Sequence, residues 1–349
     1  MRFLIEAHHP AHVHFWKFPV RELRRRGHEV LLIGRDRDVM RRLLEVYDWI
    51  PAEIPPRRSG GNRFPFGEML RRQRVVARAI RRFRPDVAAS LMGSYTQSAK
   101  WLGVRNVVFT DSEFQRFNHR IAHPFADEIH TPECFYKDLG RKHRRYRGFH
   151  ELSFLHRERF RPDPEVVSRY DGLRPGEYVV FRLSAWNTLH DVRQRGMGEH
   201  AVDLVLRASE RHRVVVSAEE SGMPDALRPF RSPVAPEDFH HVLGHAALVV
   251  TEGASTASEA ACLGTPCVYV NSTEPRGYLN MLESDYGLVE CFRDGDAGAR
   301  RARQRIDGLG AEADVDRASR AARLHDDFPD VAAVVAGILE GGRTGEWRS

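Results

Sequence analysis

The chain opens on a pattern that few architectures accommodate: a short apolar run, a polar loop, an amphipathic helix and a second apolar run. RFLIEA, residues 2–7, is strand-sized, and a loop holding His8, His9, His12 and His14 follows it. A helix is then predicted over FPVRELRRRG, with Pro19 acceptable only in its first turn and Gly27 at its stop. HEVLLIG is the next strand. Strand, helix and strand within about thirty residues form a βαβ unit, which implies parallel strands and a right-handed crossover.

The pattern returns. FGEMLRRQRVVARAIRRF places Leu70, Val76, Ile80 and Phe83 near helical spacing. RPDVAASL then enters a strand, MGSYTQSAKWLG supplies a loop and helix, and VRNVVFTDSE is another strand. A second series begins at YVVFRLSA and runs through RVVVSAEE, EDFHHVLGHA, LVVTEG, STASEAACLG and PCVYVNS. At 349 residues the chain exceeds one ordinary core. The expected organisation is a first domain over 1–155, a linker over 156–176, a second domain over 177–310, and C-terminal helices and tail over 311–349. Ligands of such sheets gather beyond the carboxyl ends of strands. In the first domain those ends hold His8–His14, Gly93–Ser94 and Asp111–Glu113.

Charge and cysteine content narrow the function classes. The net charge of +6 comes almost entirely from arginine, since lysine occurs only at positions 17, 100, 137 and 142. That skew argues for codon bias over phosphate tracking, and RKHRRYRGFH is expected to be a solvated basic loop rather than a base-stacking module. No specific nucleic-acid partner is expected; the same patch suits peripheral contact with an anionic membrane or acceptor. Cys134, Cys262, Cys267 and Cys291 lack C-x-x-C spacing, and MRFLIEAHHP turns polar too soon for a signal peptide. A cytoplasmic protein, at most peripheral to the inner face of the membrane, is expected.

VVTEGASTASEAACLGTPCVYV, residues 249–270, is the most specific segment. A buried strand ends at Thr251, Gly253 allows a tight turn, and Ala254, Ser255 and Thr256 open a helix whose free N–H groups favour an anion. Glu259 lies one turn in, placed to accept hydrogen bonds from sugar hydroxyls. S-T-x-x-E also fits a capping box, and the two readings are compatible. In FRLSAWNTLHD, Arg182 offers a forked donor to phosphate, Ser184 a hydroxyl, Trp186 a stacking face, and His190 with Asp191 an imidazole–carboxylate pair; a plain surface loop is the competing reading. Glu219 follows a buried strand, and Arg276 in RGY is a further substrate-binding candidate, with a simple turn as the competing reading.

EGASTASEAACLGTPCV resembles the nucleotide-binding segment of GT-B glycosyltransferases and of the nonhydrolysing UDP-N-acetylglucosamine 2-epimerases on the same fold. AHVHFWKFPVRELRRRGHEV resembles the G-H-x-x-P loop and helix of the MurG-type transferases, though HHPAHVH replaces a glycine-rich loop. With RGFHELSFLH and YGLV included, the chain resembles a family of MurG-like proteins of unassigned activity over about residues 1–295. The resemblance implies an α/β GT-B-like fold, two Rossmann-like domains facing across a cleft, with a helical tail. It implies a nucleoside-diphosphate sugar, UDP-sugar foremost, as substrate rather than cofactor, with a glycan, lipid-linked or small-molecule acceptor. It places His12 as acceptor base or charge stabiliser, and Asp111 as the carboxylate assisting it. Transfer of this kind needs no metal. Two alternatives stand beside it: a 2-epimerase using Asp111, Glu113 and His190, and a metal-dependent hydrolase built on His12-x-His14.

Overall fold

Strand β1 (Arg2–Glu6) is buried from Phe3 onward because it is the inner strand of a wholly parallel sheet. The computed structural model describes residues 1–34, 38–49, 65–93, 95–183, 196–218, 223–274, 276–310 and 315–342. The first sheet adds β2 (Glu29–Ile33), β3 (Val87–Ser90), β4 (Arg105–Phe109), β5 (Glu128–Pro132) and β6 (His143–Tyr146), in the order β2-β1-β3-β4-β5-β6. β1 pairs with β2 through Glu6↔Ile33 and with β3 through Glu6↔Ser90. The direction of winding therefore reverses at β1/β3, which is where an open α/β sheet leaves a crevice.

Helix α1 (Pro10–Arg25) corrects the predicted helix start: it begins right after His9, and Pro19 lies in its interior. The early start has a local cause. His9 Nδ1 accepts from the Ala11 N–H as the N-cap, and Pro10 takes a first-turn position where no donor is missed. The chain then carries α2 (Asp38–Val46), α3 (Pro65–Phe83), α4 (Thr96–Trp101), α5 (Arg116–Ile121) and α6 (Leu152–Leu155). Val76 and Ile80 of α3 are buried as their spacing predicts, whereas Leu70 is 54% exposed.

The basic run around 141–148 is not a loop. His143 and Tyr146 of β6 are buried while Arg144 and Arg145 stay exposed, one on each face of an edge strand, so the cations reach solvent from the rim of the sheet.

The second sheet contains β7 (Tyr178–Leu183), β8 (Arg213–Ala218), β9 (Leu248–Thr251), β10 (Cys267–Val270) and β11 (Glu290–Phe292), ordered β11-β10-β9-β7-β8 and again parallel. Its helices are α7 (Pro164–Ser168), α8 (His200–Ser209), α9 (Phe239–Gly244), α10 (Ala254–Cys262), α11 (Gly277–Ser284), α12 (Gly295–Asp307) and α13 (Val315–Asp327). Val179, Phe181, Leu204, Val250 and Val268 form its core.

Two units divide the chain: residues 1–159 with 328–349, and residues 160–327. Helix α14 (Val331–Leu339) thus folds with the first unit, where its nearly all-apolar sequence is buried on every side but one. Among the described residues no helix is long and apolar enough to cross a membrane.

Candidate functional site

In the second unit, the site-forming segment is the turn from β9 into α10. Thr251 Oγ1 accepts the Gly253 N–H at 2.9 Å, fixing the exit from the strand. Glu252 points back into the fold, where its Oε1 accepts the Met197 N–H at 2.8 Å and its carbonyl accepts from Asn271 Nδ2 at 2.9 Å. A Cβ on Gly196 would stand 2.1 Å from that Oε1, so a larger residue there would push the Glu252 carboxylate aside.

Gly253 is the N-cap of α10, and no side chain caps the helix. The capping-box alternative is therefore not formed: Ser255 and Thr256 lie inside the first turn, Ser255 exposed and Thr256 buried. Gly253 does not make the tight turn predicted for it, because its φ of −95° and ψ of 120° are open to any residue. A Cβ there would meet only ordinary contacts, 3.5 Å from Thr251 Oγ1, 3.8 Å from Thr256 Oγ1 and 3.9 Å from Arg182 Cγ. What glycine provides is bare backbone at a helix end carrying positive partial charge.

Arg182 pairs in register with Thr251 across β7/β9, so its guanidinium starts beside that helix end. Its Nη1 donates to Ser217 Oγ at 3.0 Å. Glu259, one turn into α10, is 7% exposed, and burial pushes its carboxyl up to about 8 against the opposing pull of Arg182. His240 Nε2 lies 3.3 Å from Glu259 Oε1. The upward shift makes this a hydrogen-bonding contact of a carboxyl neutral near pH 7 rather than an ion pair. Arg276 caps α11, and its charge opposes the upward shift that burial gives Tyr269 at the end of β10. Ser184, Trp186, His190, Asp191 and Glu219 lie outside the described residues, as does Ser94.

In the first unit, the four clustered histidines have four different jobs. His8 Nε2 meets Glu6 Oε1 at 2.7 Å, and the Arg72 guanidinium reaches its Nδ1. His9 caps α1. His14 stacks on Phe154 with ring centroids 5.6 Å apart and meets Tyr47 edge-on. His12 Nδ1 accepts the His8 main-chain N–H at 3.2 Å. Positions two apart on a helix diverge by about 200°, so His12 and His14 cannot grip one ion together. Among the described residues, no group of three or more His, Cys, Asp or Glu side chains is placed to hold a metal.

His12 is held well below its ordinary value by burial, then by His8, His9 and His150, with Asp111 alone pulling the other way. Asp111, just beyond β4, meets His150: Oδ2 lies 3.2 Å from Nδ1. Sequence reasoning missed His150. The available signal was a histidine directly following an edge strand in RGFHELSFLH, masked by the reading of that region as loop.

The chain's likenesses can now be placed on this geometry. A family model described as a protein of unknown function, DUF354, matches residues 1–172. No curated protein matches the chain. Among solved structures, the UDP-GlcNAc 2-epimerase of Methanocaldococcus jannaschii is similar at 11% identity and TM-score 0.68, covering 98% of this chain and 100% of that one. The Neisseria meningitidis UDP-GlcNAc 2-epimerase, bound to UDP-GlcNAc, is similar at 9% identity and TM-score 0.65, covering 98% and 100%. The spinosyn rhamnosyltransferase SpnG is similar at 16% identity and TM-score 0.59, covering 98% and 100%. The fold is GT-B-like. At such identities the likeness is one of fold.

Proposed function

We propose that the chain is an enzyme that binds a nucleoside-diphosphate sugar and transfers the sugar to a hydroxyl-bearing acceptor. The observation carrying this reading is the uncapped start of α10, bare at Gly253, with Arg182 beside it and Glu259 one turn in. A diphosphate accepts hydrogen bonds from the free N–H groups of Ala254, Ser255 and Thr256 and from Arg182, and the helix dipole stabilises its charge as it leaves. A carboxyl such as Glu259 both donates and accepts, which suits a vicinal diol of ribose. Arg276 is proposed to line the donor sugar, together with Ser184, Trp186, His190, Asp191 and Glu219, which lie outside the described residues. The first unit handles the acceptor and its proton through the groups around His12 and Asp111.

Isothermal titration with UDP and UDP-GlcNAc tests the binding step. Saturable binding that weakens at least tenfold in Arg182→Met and Glu259→Ala is the expected result. Heat signals absent for every nucleoside diphosphate tried would refute it.

Nucleotide-sugar 2-epimerisation is a second reading, favoured by the higher TM-scores of the epimerases among the similar structures. Incubation in deuterated water separates the two. Deuterium appearing at the sugar C2 without any acceptor marks an epimerase; release of nucleotide only with an acceptor marks a transferase.

A further inference from the structure

Lysine is scarce in this chain, and its four side chains divide three to one. Lys100 Nζ donates to Asp127 Oδ1 at 2.6 Å. Lys137 Nζ donates to the Glu113 carbonyl at 2.7 Å, and Lys142 Nζ to the carbonyls of Pro124 and Ala126 at 2.7 and 2.6 Å. Each of these three ammonium groups has an oxygen to donate to.

Lys17, in the middle of α1, has none among the described residues. Its Nζ lies over two rings instead, 4.4 Å from the centroid of Tyr47 and 5.2 Å from that of Phe18. The Tyr47 hydroxyl is engaged elsewhere, with His14 Nδ1 at 3.4 Å. Lys17 is half-buried, and its Nζ, unlike Trp16 Nε1 beside it in the chain, keeps contact with solvent. Arg21, exposed and one turn further along α1, adds a like charge and no acceptor.

A ring face attracts an ammonium more weakly than the hydrogen bonds with water that burial removes. Burial, and then the Arg21 guanidinium, brings the Lys17 amine down to about 8. At neutral pH about a tenth of the molecules then carry it as the free amine, which is the nucleophilic form. Acylation relieves the same conflict, because an amide has no charge to desolvate and none for Arg21 to repel.

We infer that Lys17 is an acyl-acceptor site, modified by acyl thioesters in preference to the other three lysines. The inference is independent of the nucleotide-sugar reading and needs only the first unit. In the step it describes, the neutral amine attacks the thioester carbonyl carbon. The N–C bond forms, the C–S bond breaks, and sulfur leaves with the electron pair. The proton that the nitrogen sheds neutralises the thiolate through water, giving Nε-acyl-lysine and a free thiol.

The full chain incubated at pH 8 with N,S-diacetylcysteamine, and digested at intervals for site-resolved mass spectrometry, tests the assignment. This thioester is uncharged, so no phosphate draws it to the basic edge strand. Lys17 is expected to gain its acetyl group about tenfold faster than Lys100, Lys137 or Lys142. In concentrated urea, where the surroundings are gone, that preference should disappear. Arg21→Glu places a carboxylate one turn from the amine, and should slow Lys17 at least fivefold while leaving Lys100 unchanged. A Lys17 rate at or below that of the other three overturns the proposal. So does a preference that persists in urea, which would belong to the local sequence and not to the fold. A Lys17 rate indifferent to Arg21→Glu overturns it as well.

Discussion

Ser153 Oγ donates to the main-chain carbonyl of Phe15 at 3.0 Å, and Phe15 is the residue whose helical donor Pro19 removes. An interior proline leaves the carbonyl one turn back without its N–H. Here α6 supplies the replacement from outside α1, and Ser153 is fully buried to do so.

Ser153→Ala should therefore destabilise the protein by about 1–3 kcal/mol, the desolvation penalty of a buried carbonyl left alone. Urea unfolding of Ser153→Ala, Pro19→Ala and the double variant checks the cause. In the Pro19→Ala background the helix regains its own N–H, so the serine should matter much less. Equal losses in both backgrounds would disprove the link.

Glu259 gives a pH signature with a definite sign. Its folded value is raised from 4.5 to about 8, chiefly by burial. Between those values the unfolded chain has already released the proton that the folded chain keeps, so stability falls as pH rises. The stabilising contribution is complete below pH 4.5 and lost by about pH 8, a decline on the order of 4 kcal/mol. Glu259→Gln cannot ionise and should lack this decline. Unfolding free energies of the two proteins measured from pH 4.5 to 9 should diverge; parallel curves would show that Glu259 is not the source.

Arg182 is expected to act through its fork. Arg182→Lys keeps the charge but not the paired donors, so UDP affinity should fall about tenfold, or about 1.4 kcal/mol. Titration at two salt concentrations separates the terms. A loss that persists at high salt reports geometry, whereas one that vanishes there reports charge alone.

Much of the fold was legible because central parallel strands are continuous apolar runs, and Phe3–Ile5, Val87–Ala89 and Val249–Val250 announce themselves. β5 and β6 did not: the inner strand EIHTP mixes buried His130 and Thr131 with Ile129 and Pro132, and HRRY is a polar edge strand whose buried positions are His143 and Tyr146. The start of α1 was hidden by two prolines that argue against a helix until their partners, the His9 cap and Ser153, are seen. In the second unit the proposed site was readable because Gly253, Thr256 and Glu259 lie in one contiguous stretch. The Asp111–His150 contact was not, because it joins groups beyond two separate strands, and adjacency across a sheet leaves no periodic trace in sequence.

The end of the chain depends on a residue far from it. Helix α14 has no basic residue in its last turn, and Arg105 of β4 takes that role: Nη1 donates to the Leu339 carbonyl at 2.7 Å and Nη2 to the Ile338 carbonyl at 3.0 Å. One guanidinium thus serves the Leu339 carbonyl and adds a second donor to the Ile338 carbonyl, which also accepts the Gly341 N–H at 3.1 Å, and it opposes the negative end of the dipole. Nε of the same group donates to Glu128 Oε1 at 2.9 Å. The hydrogen bond from His130, followed by that from Arg105, holds the Glu128 carboxyl down at about 2. Depression of that carboxyl gives stability that is present above pH 4.5 and disappears as pH falls toward about 2. Arg105→Met keeps the aliphatic stem while removing every donor. It should speed amide exchange through the last turn of α14, leave exchange in β1 and β3 unchanged, and lower global stability by about 1.5–3 kcal/mol. Uniform acceleration across the first sheet would mean that Arg105 supports β4 itself and not the helix end.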